Sequence, residues 1–196
     1  IYNRWFLGGM FRGEYPAEVL AGLAPHMPAN WQDDMATISA PVDWLGLNYY
    51  TRKLIGPADT PWPALCEVEG PLEKTQMGWE IHPEGLGFFL RRAHADYTRG
   101  LPLYVTENGL SNADVLDGDR VGDDARIRFL ARHLDQVRAA IAEGVPVRGY
   151  FTWSLMDNYE WTLGYEKRFG LIHVDFETLQ RRPKASYHAL AKALAR

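Results

Sequence analysis

Three near-continuous apolar runs punctuate the chain: VDWLGLNYY at 42–50, LPLYVTENG at 101–109 and VPVRGYFTWSL at 145–155. Their length and weak polar alternation predict strands buried on both faces, each running out into polar or aromatic residues. Between the runs the period changes. After Pro83, at a first-turn position, Leu86, Phe89, Leu90, Ala93 and Tyr97 keep helical spacing until Gly100 and Pro102 stop the helix. Asp123 or Asp124 is expected to cap a second helix with the stripe Ile127, Leu130, Leu134, Val137 and Ile141, closed by Gly144 and Pro146. A third stripe, Tyr187, Leu190, Ala191 and Leu194, lies at the end of the chain. Strand, helix, strand, helix, strand, helix implies right-handed crossovers and a parallel sheet.

An open doubly wound sheet and part of a (β/α) barrel both satisfy that alternation. The open sheet should carry a glycine-rich phosphate turn after a strand, and neither a G-x-G-x-x-G nor a P-loop pattern occurs. The barrel is therefore favoured. Barrel enzymes place their chemistry at the C-terminal ends of the strands, where Asn48, Tyr50, Glu107 and Trp153 fall. Three strands cannot close an eight-stranded barrel and would leave apolar edges open.

Composition narrows the chemistry. At 196 residues, 46% of them hydrophobic, the chain can bury a sizeable core. A formal charge of −4 without any Lys/Arg run gives no field for phosphate backbones or anionic lipid, so neither nucleic acid nor a membrane is an expected partner. No apolar run is long enough to span a bilayer, and the single cysteine, Cys66, excludes an internal disulfide framework, so a reducing, cytoplasmic location is expected. The histidines show no metal-ligand spacing, and no metal or cofactor is expected. Seven tryptophans and ten tyrosines, several beside carboxylates or amides, suit a sugar site, where aromatic faces cover C–H faces and polar groups take hydroxyls. The opening Ile1-Tyr2-Asn3-Arg4-Trp5-Phe6-Leu7 has neither initiator methionine nor signal pattern and reads as the middle of a larger fold.

The segments DWLGLNYYTR, MGWEIHPEGL, YVTENGL, RGYFTWSLMDNYEWTLGYEKRFGLIHVDF and RRPKASY together resemble the C-terminal part of a family 1 glycoside hydrolase of β-glucosidase type. The resemblance implies a single (β/α)8 barrel, with residues 1–196 supplying roughly strands six to eight and their helices. The N-terminal portion, which in the family holds an Asn-Glu-Pro acid/base segment, has no match, since Asn-Glu-Pro occurs nowhere in the chain. The implied activity is retaining hydrolysis of non-phosphorylated β-glycosides by double displacement. Glu107 would be the nucleophile and Tyr50 the hydroxyl that holds its carboxylate. Asn48 would share their side of the sheet by the period-two rule.

The same resemblance puts Trp153 under the sugar as a floor, Glu160 and Trp161 on its distal hydroxyls, Phe169 as the wall beside them and Trp79 near the aglycone entrance. Asp157 and Asn158 would hold the loop that presents Glu160, and residues 56–76, rich in proline and acids, would be a rim loop. The expected partners are a β-glycoside and a companion chain or segment supplying the N-terminal half, without which the chain would be inactive. A non-catalytic sugar-binding derivative or a thioglucosidase-like variant of the fold is the alternative.

Overall fold

The computed structural model describes residues 2–195. Helices α1 (Tyr2–Arg12), α2 (Ala17–Leu23) and α3 (Met35–Ile38) lead into strand β1 (Leu45–Asn48), which is followed by a hairpin of β2 (Leu54–Pro57) and β3 (Leu65–Val68). Helix α4 (Pro83–Ala93) continues into a π-helical turn, His94–Thr98, and Gly100 at φ 109° redirects the chain into β4 (Leu103–Asn108). A small hairpin, β5 (Val115–Asp117) and β6 (Arg120–Gly122), precedes α5 (Asp124–Ala142) and β7 (Val147–Thr152). The hairpin of β8 (Ile172–Val174) and β9 (Arg181–Pro183) leads to α6 (Ala185–Leu194).

The three apolar runs become β1, β4 and β7, one parallel sheet in the order β1-β4-β7 with Leu45 beside Leu103 and Leu103 beside Val147. Helices α4 and α5 cover one face. There Leu45, Leu86, Leu90, Leu103, Val105, Val137 and Ala140 form the main core, each large side chain contributing about 1.5–3 kcal/mol by leaving water. On β7, Phe151 is 58% exposed, in keeping with the expectation that three strands leave apolar surface of a barrel open. Among the described residues β7 pairs only with β4. That open face forms an apolar groove of about 570 Å³ lined by Trp44, Tyr104, Thr106, Phe151 and Trp153.

Two helix expectations are corrected. The buried stripe of α5 is Arg126, Phe129, Leu130, His133, Val137 and Ala140, rotated from the predicted one, and Ile141 is 48% exposed. Two polar residues belong to the inner face, which an apolar count does not see. Asp123 stands at the N-cap of α5, but its side chain makes no capping bond. Its carboxylate instead accepts from Arg126 Nη1 and from the backbone N–H (2.8 Å) and hydroxyl (2.5 Å) of Ser186 at the start of α6. In α6, Tyr187 and Leu190 pack on the second core cluster, whereas Leu194 is 76% exposed. The rim loop 56–76 also contains strand, because Leu65–Val68 folds back on Leu54–Pro57.

Asp123 is one corner of a buried charge network. Arg126 also donates to Asp114 (3.0 Å), and Lys184 Nζ bridges Asp114 (2.5 Å) and Asp157 (2.8 Å). Arg168 completes the set on Asp157 at 2.7 Å. Burial pushes the Asp114 carboxyl up, but the Arg126 and Lys184 charges and hydrogen bonds outweigh it and hold the group below the usual carboxylate range. Lys184 is pushed down by burial and then by the Arg126 charge, with Asp114 and Asp157 opposing. Removing one partner from such a set leaves buried charge uncompensated, at a cost of about 3–5 kcal/mol. Lys184→Met is accordingly expected to destabilise the fold by that amount in urea unfolding, far more than Lys192→Met on the exposed face of α6. Equal midpoints for the two variants would show that the network contributes nothing.

Candidate active site

β4 runs from the core to the rim within six residues. Leu103 and Val105 are buried, and Glu107 emerges half-buried where the strand ends. Tyr50, two residues beyond β1, donates its hydroxyl to Glu107 Oε2 at 2.6 Å. Burial, and then this hydrogen bond with the Glu107 charge behind it, push the Tyr50 phenol well above its ordinary range, so it remains a donor at any physiological pH. Around the pair stand two more aromatic rings. Trp79 lies 5.5 Å and Phe169 6.1 Å from the Tyr50 ring, and they are 6.3 Å from each other. Trp79 is fixed through its neighbour, because buried Glu80 takes Arg52 Nε at 2.7 Å while Thr51 donates to the Glu80 carbonyl at 2.8 Å.

Glu160 is half-buried in the loop after β7, near enough for the Glu107 charge to act on it. Burial first, and Glu107 second, hold its carboxyl above the usual range. The loop is anchored at its base. Asp157 accepts from Arg168, Lys184 and the Gly170 N–H (2.9 Å), and Asn158 donates to Ser154 Oγ at 3.0 Å. Trp153 donates its backbone N–H to the Asn108 carbonyl at 2.9 Å and lines the open groove beside Thr106. A side chain on Gly109 would collide with the Trp153 carbonyl, so only glycine fits after Asn108.

Tyr50, Glu107, Trp79 and Phe169 are thus brought together, with Glu160 in electrostatic reach. Two expected residues make no direct bond to this group. Asn48 is the β1 partner of Glu107 across the ladder, after a register shift between Leu47 and Asn48, and its Oδ1 accepts from Thr106 Oγ1 at 2.7 Å. Trp161 is 79% exposed. Sequence reasoning missed Asn108, Asp114, Arg126, Arg168 and Lys184. Asn108 alone left a signal, as an amide next to a strand-end glutamate that must point the other way. Among the described residues no group of three or more His, Cys, Asp or Glu could hold a metal, and no helix is long and apolar enough to cross a membrane.

The family model for glycosyl hydrolase family 1 matches residues 1–195. This chain belongs to that family. It is 45% identical over 183 residues to a β-glucosidase A of Thermotoga maritima, covering 92% of this chain and 41% of that protein. At 34% identity it also matches a 6-phospho-β-galactosidase of Leptotrichia buccalis, over 95% of this chain and 46% of the relative. The solved Thermotoga maritima β-glucosidase in complex with castanospermine superposes with a TM-score of 0.93 at 42% identity, over 98% of this chain and 43% of that one. The family 1 chain described here therefore spans less than half the length of these relatives and covers part of a (β/α)8 barrel.

If the Glu107 charge helps to hold the Glu160 carboxyl up, Glu107→Gln removes that contribution and leaves burial alone. Glu160 should then lose its proton at a lower pH in the variant than in the parent, read from its carboxyl carbon in an NMR titration. An unchanged or higher midpoint would place the two carboxylates out of electrostatic contact.

Proposed function

We propose that residues 1–196 form the C-terminal portion of one (β/α)8 barrel domain, contributing roughly strands six to eight, and that the assembled barrel is a retaining β-glycosidase acting on non-phosphorylated β-glycosides. The observation that carries this reading is the 2.6 Å bond from Tyr50 to Glu107 at the ends of adjacent parallel strands, inside an aromatic frame. In the first displacement a Glu107 carboxylate oxygen bonds to the anomeric carbon while the glycosidic C–O bond breaks and the leaving oxygen takes a proton. In the second, water releases the sugar from the ester and Glu107 leaves as carboxylate. Tyr50 holds Glu107 in line for attack.

The proton donor must lie about 5 Å across the bond from the nucleophile, and it comes from the companion N-terminal segment, whose strands also cover the open apolar face. This chain alone is therefore inactive. Trp153 forms the floor of the sugar site, Phe169 the wall, and Trp79 the side towards the aglycone. Asn48, held by Thr106, serves the sugar from the neighbouring strand end. Glu160 and Trp161 take the distal hydroxyls. A carboxylate at 160 accepts adjacent hydroxyls but repels a 6-phosphate, which separates this chain from phosphoglycosidase relatives. Glucosides come first among the substrates, on the strength of the names borne by similar proteins.

In the complete barrel, Glu107→Ala should lower turnover by several orders of magnitude while ground-state binding of a β-glucoside persists, because the lost bond forms only on the reaction path. Azide should restore cleavage of an aryl β-glucoside by displacing the aryloxide at the anomeric carbon, giving a glycosyl azide of inverted anomeric configuration, since a small anion can occupy the space left by the carboxylate. Near-normal turnover in the variant would sink the nucleophile assignment.

A further inference from the structure

Regular strand pairing is lost where it would be needed most. Between β4 and β7, Val105 faces Tyr150 and Asn108 faces Thr152, so Thr106 and Glu107 together oppose the single residue Phe151. Between β1 and β4 the register also shifts, after Leu47. Glu107 thus sits in a bulge, a device that re-aims a side chain but leaves the ladder around it interrupted.

One side chain spans the interruption. Asn108 is fully buried, and its Nδ2 donates to the Tyr49 carbonyl at 2.6 Å while its Oδ1 accepts from the Tyr150 hydroxyl at 2.6 Å. The Tyr49 carbonyl belongs to the peptide that carries Tyr50, and the Tyr49 N–H donates to the Glu107 carbonyl at 2.9 Å. The residues bound through Asn108 therefore immediately adjoin the two residues of the Tyr50–Glu107 pair. On the far side, the Asn108 carbonyl accepts from the Trp153 N–H at 2.9 Å and from Thr152 Oγ1 at 3.3 Å.

We propose that Asn108 is a positioning residue: from the helix-covered side of the sheet, its side chain ties the Tyr49–Tyr50 peptide to the Glu107–Asn108 segment and thereby sets the Glu107 carboxylate against the Tyr50 hydroxyl. Tyr150 fixes the rotamer of the amide from the third strand. This inference rests on the reading of Glu107 as the nucleophile. An amide suits the place because it must donate to a carbonyl and accept from a phenol at once; a carboxylate would oppose the Tyr49 oxygen with a second acceptor.

The test is a double-mutant cycle in the complete barrel, with Asn108→Ala and Tyr50→Phe singly and together, assayed on an aryl β-glucoside. If Asn108 acts through the Tyr50–Glu107 pair, Asn108→Ala lowers kcat roughly 10- to 100-fold with KM within about threefold, and adding it to Tyr50→Phe costs little more. Losses that multiply in the double variant would overturn the proposal, because a purely structural asparagine is indifferent to the Tyr50 hydroxyl. Should Asn108→Ala fail to fold, Tyr150→Phe decides by the same cycle. That variant keeps the bond to Tyr49, and its smaller loss, roughly 2- to 10-fold, must likewise vanish in the Tyr50→Phe background. Full activity in Tyr50→Phe and Glu107→Ala would instead overturn the nucleophile reading and this inference with it, whereas collapse of those two beside multiplying losses overturns the role of Asn108 alone.

Discussion

Three buried carboxylates meet two buried cations and a third, Arg168, at their edge, and the rim of the molecule depends on their matching. Asp114 follows β4, Asp123 and Arg126 start α5, Asp157 and Arg168 frame the loop after β7, and Lys184 begins α6. A buried charge without its partner costs several kcal/mol, so the network tolerates only arrangements in which all four segments arrive together. The chain thereby converts an electrostatic penalty into a geometric constraint. The loop bearing Glu160 is pinned at Asp157 and Arg168, and the segment that follows Glu107 is pinned at Asp114.

Above that frame, the site uses weaker and more local forces. A phenol held protonated by burial and by its carboxylate partner keeps Tyr50 as a donor to Glu107, and two further rings bound the space beside them. The bulge at Thr106–Glu107 turns the carboxylate to the rim, and the fully buried Asn108 carries the bonds that the ladder gives up there. Rigid core, charged frame and re-aimed carboxylate follow one another within a few residues of β4.

Much of this was legible in the chain. The three parallel strands could be placed because Leu103 and Val105, like Leu45, are apolar without interruption, and α4 because Pro83 and Gly100 punctuate its stripe. What could not be read depends on partners far away in sequence. Asp123 occupies the cap position predicted for it, yet its carboxylate goes to Ser186, 63 residues on. Arg126 and His133 lie on the buried face of α5, which shifts the stripe from the one an apolar count draws. Burial, with the Phe129 carbonyl opposing, moves the His133 imidazole down to about 4, so the ring stays neutral and behaves as core. The β2–β3 hairpin escaped because Leu65–Val68 is exposed and pairs only locally. Trp161 matched a sugar-site pattern, and its ring stands exposed beside the Glu160 loop.

The central claim is that Glu107 attacks an anomeric carbon. It is tested most directly by treating the complete barrel with a 2-deoxy-2-fluoro-β-glucoside bearing a good leaving group, then measuring intact mass and mapping the labelled peptide. The account predicts one fluorosugar per barrel, esterified to Glu107 in the peptide containing Tyr104–Leu110 and released on transfer to a sugar acceptor. A label on any other carboxylate, or hydrolysis that proceeds without a covalent adduct, would contradict it.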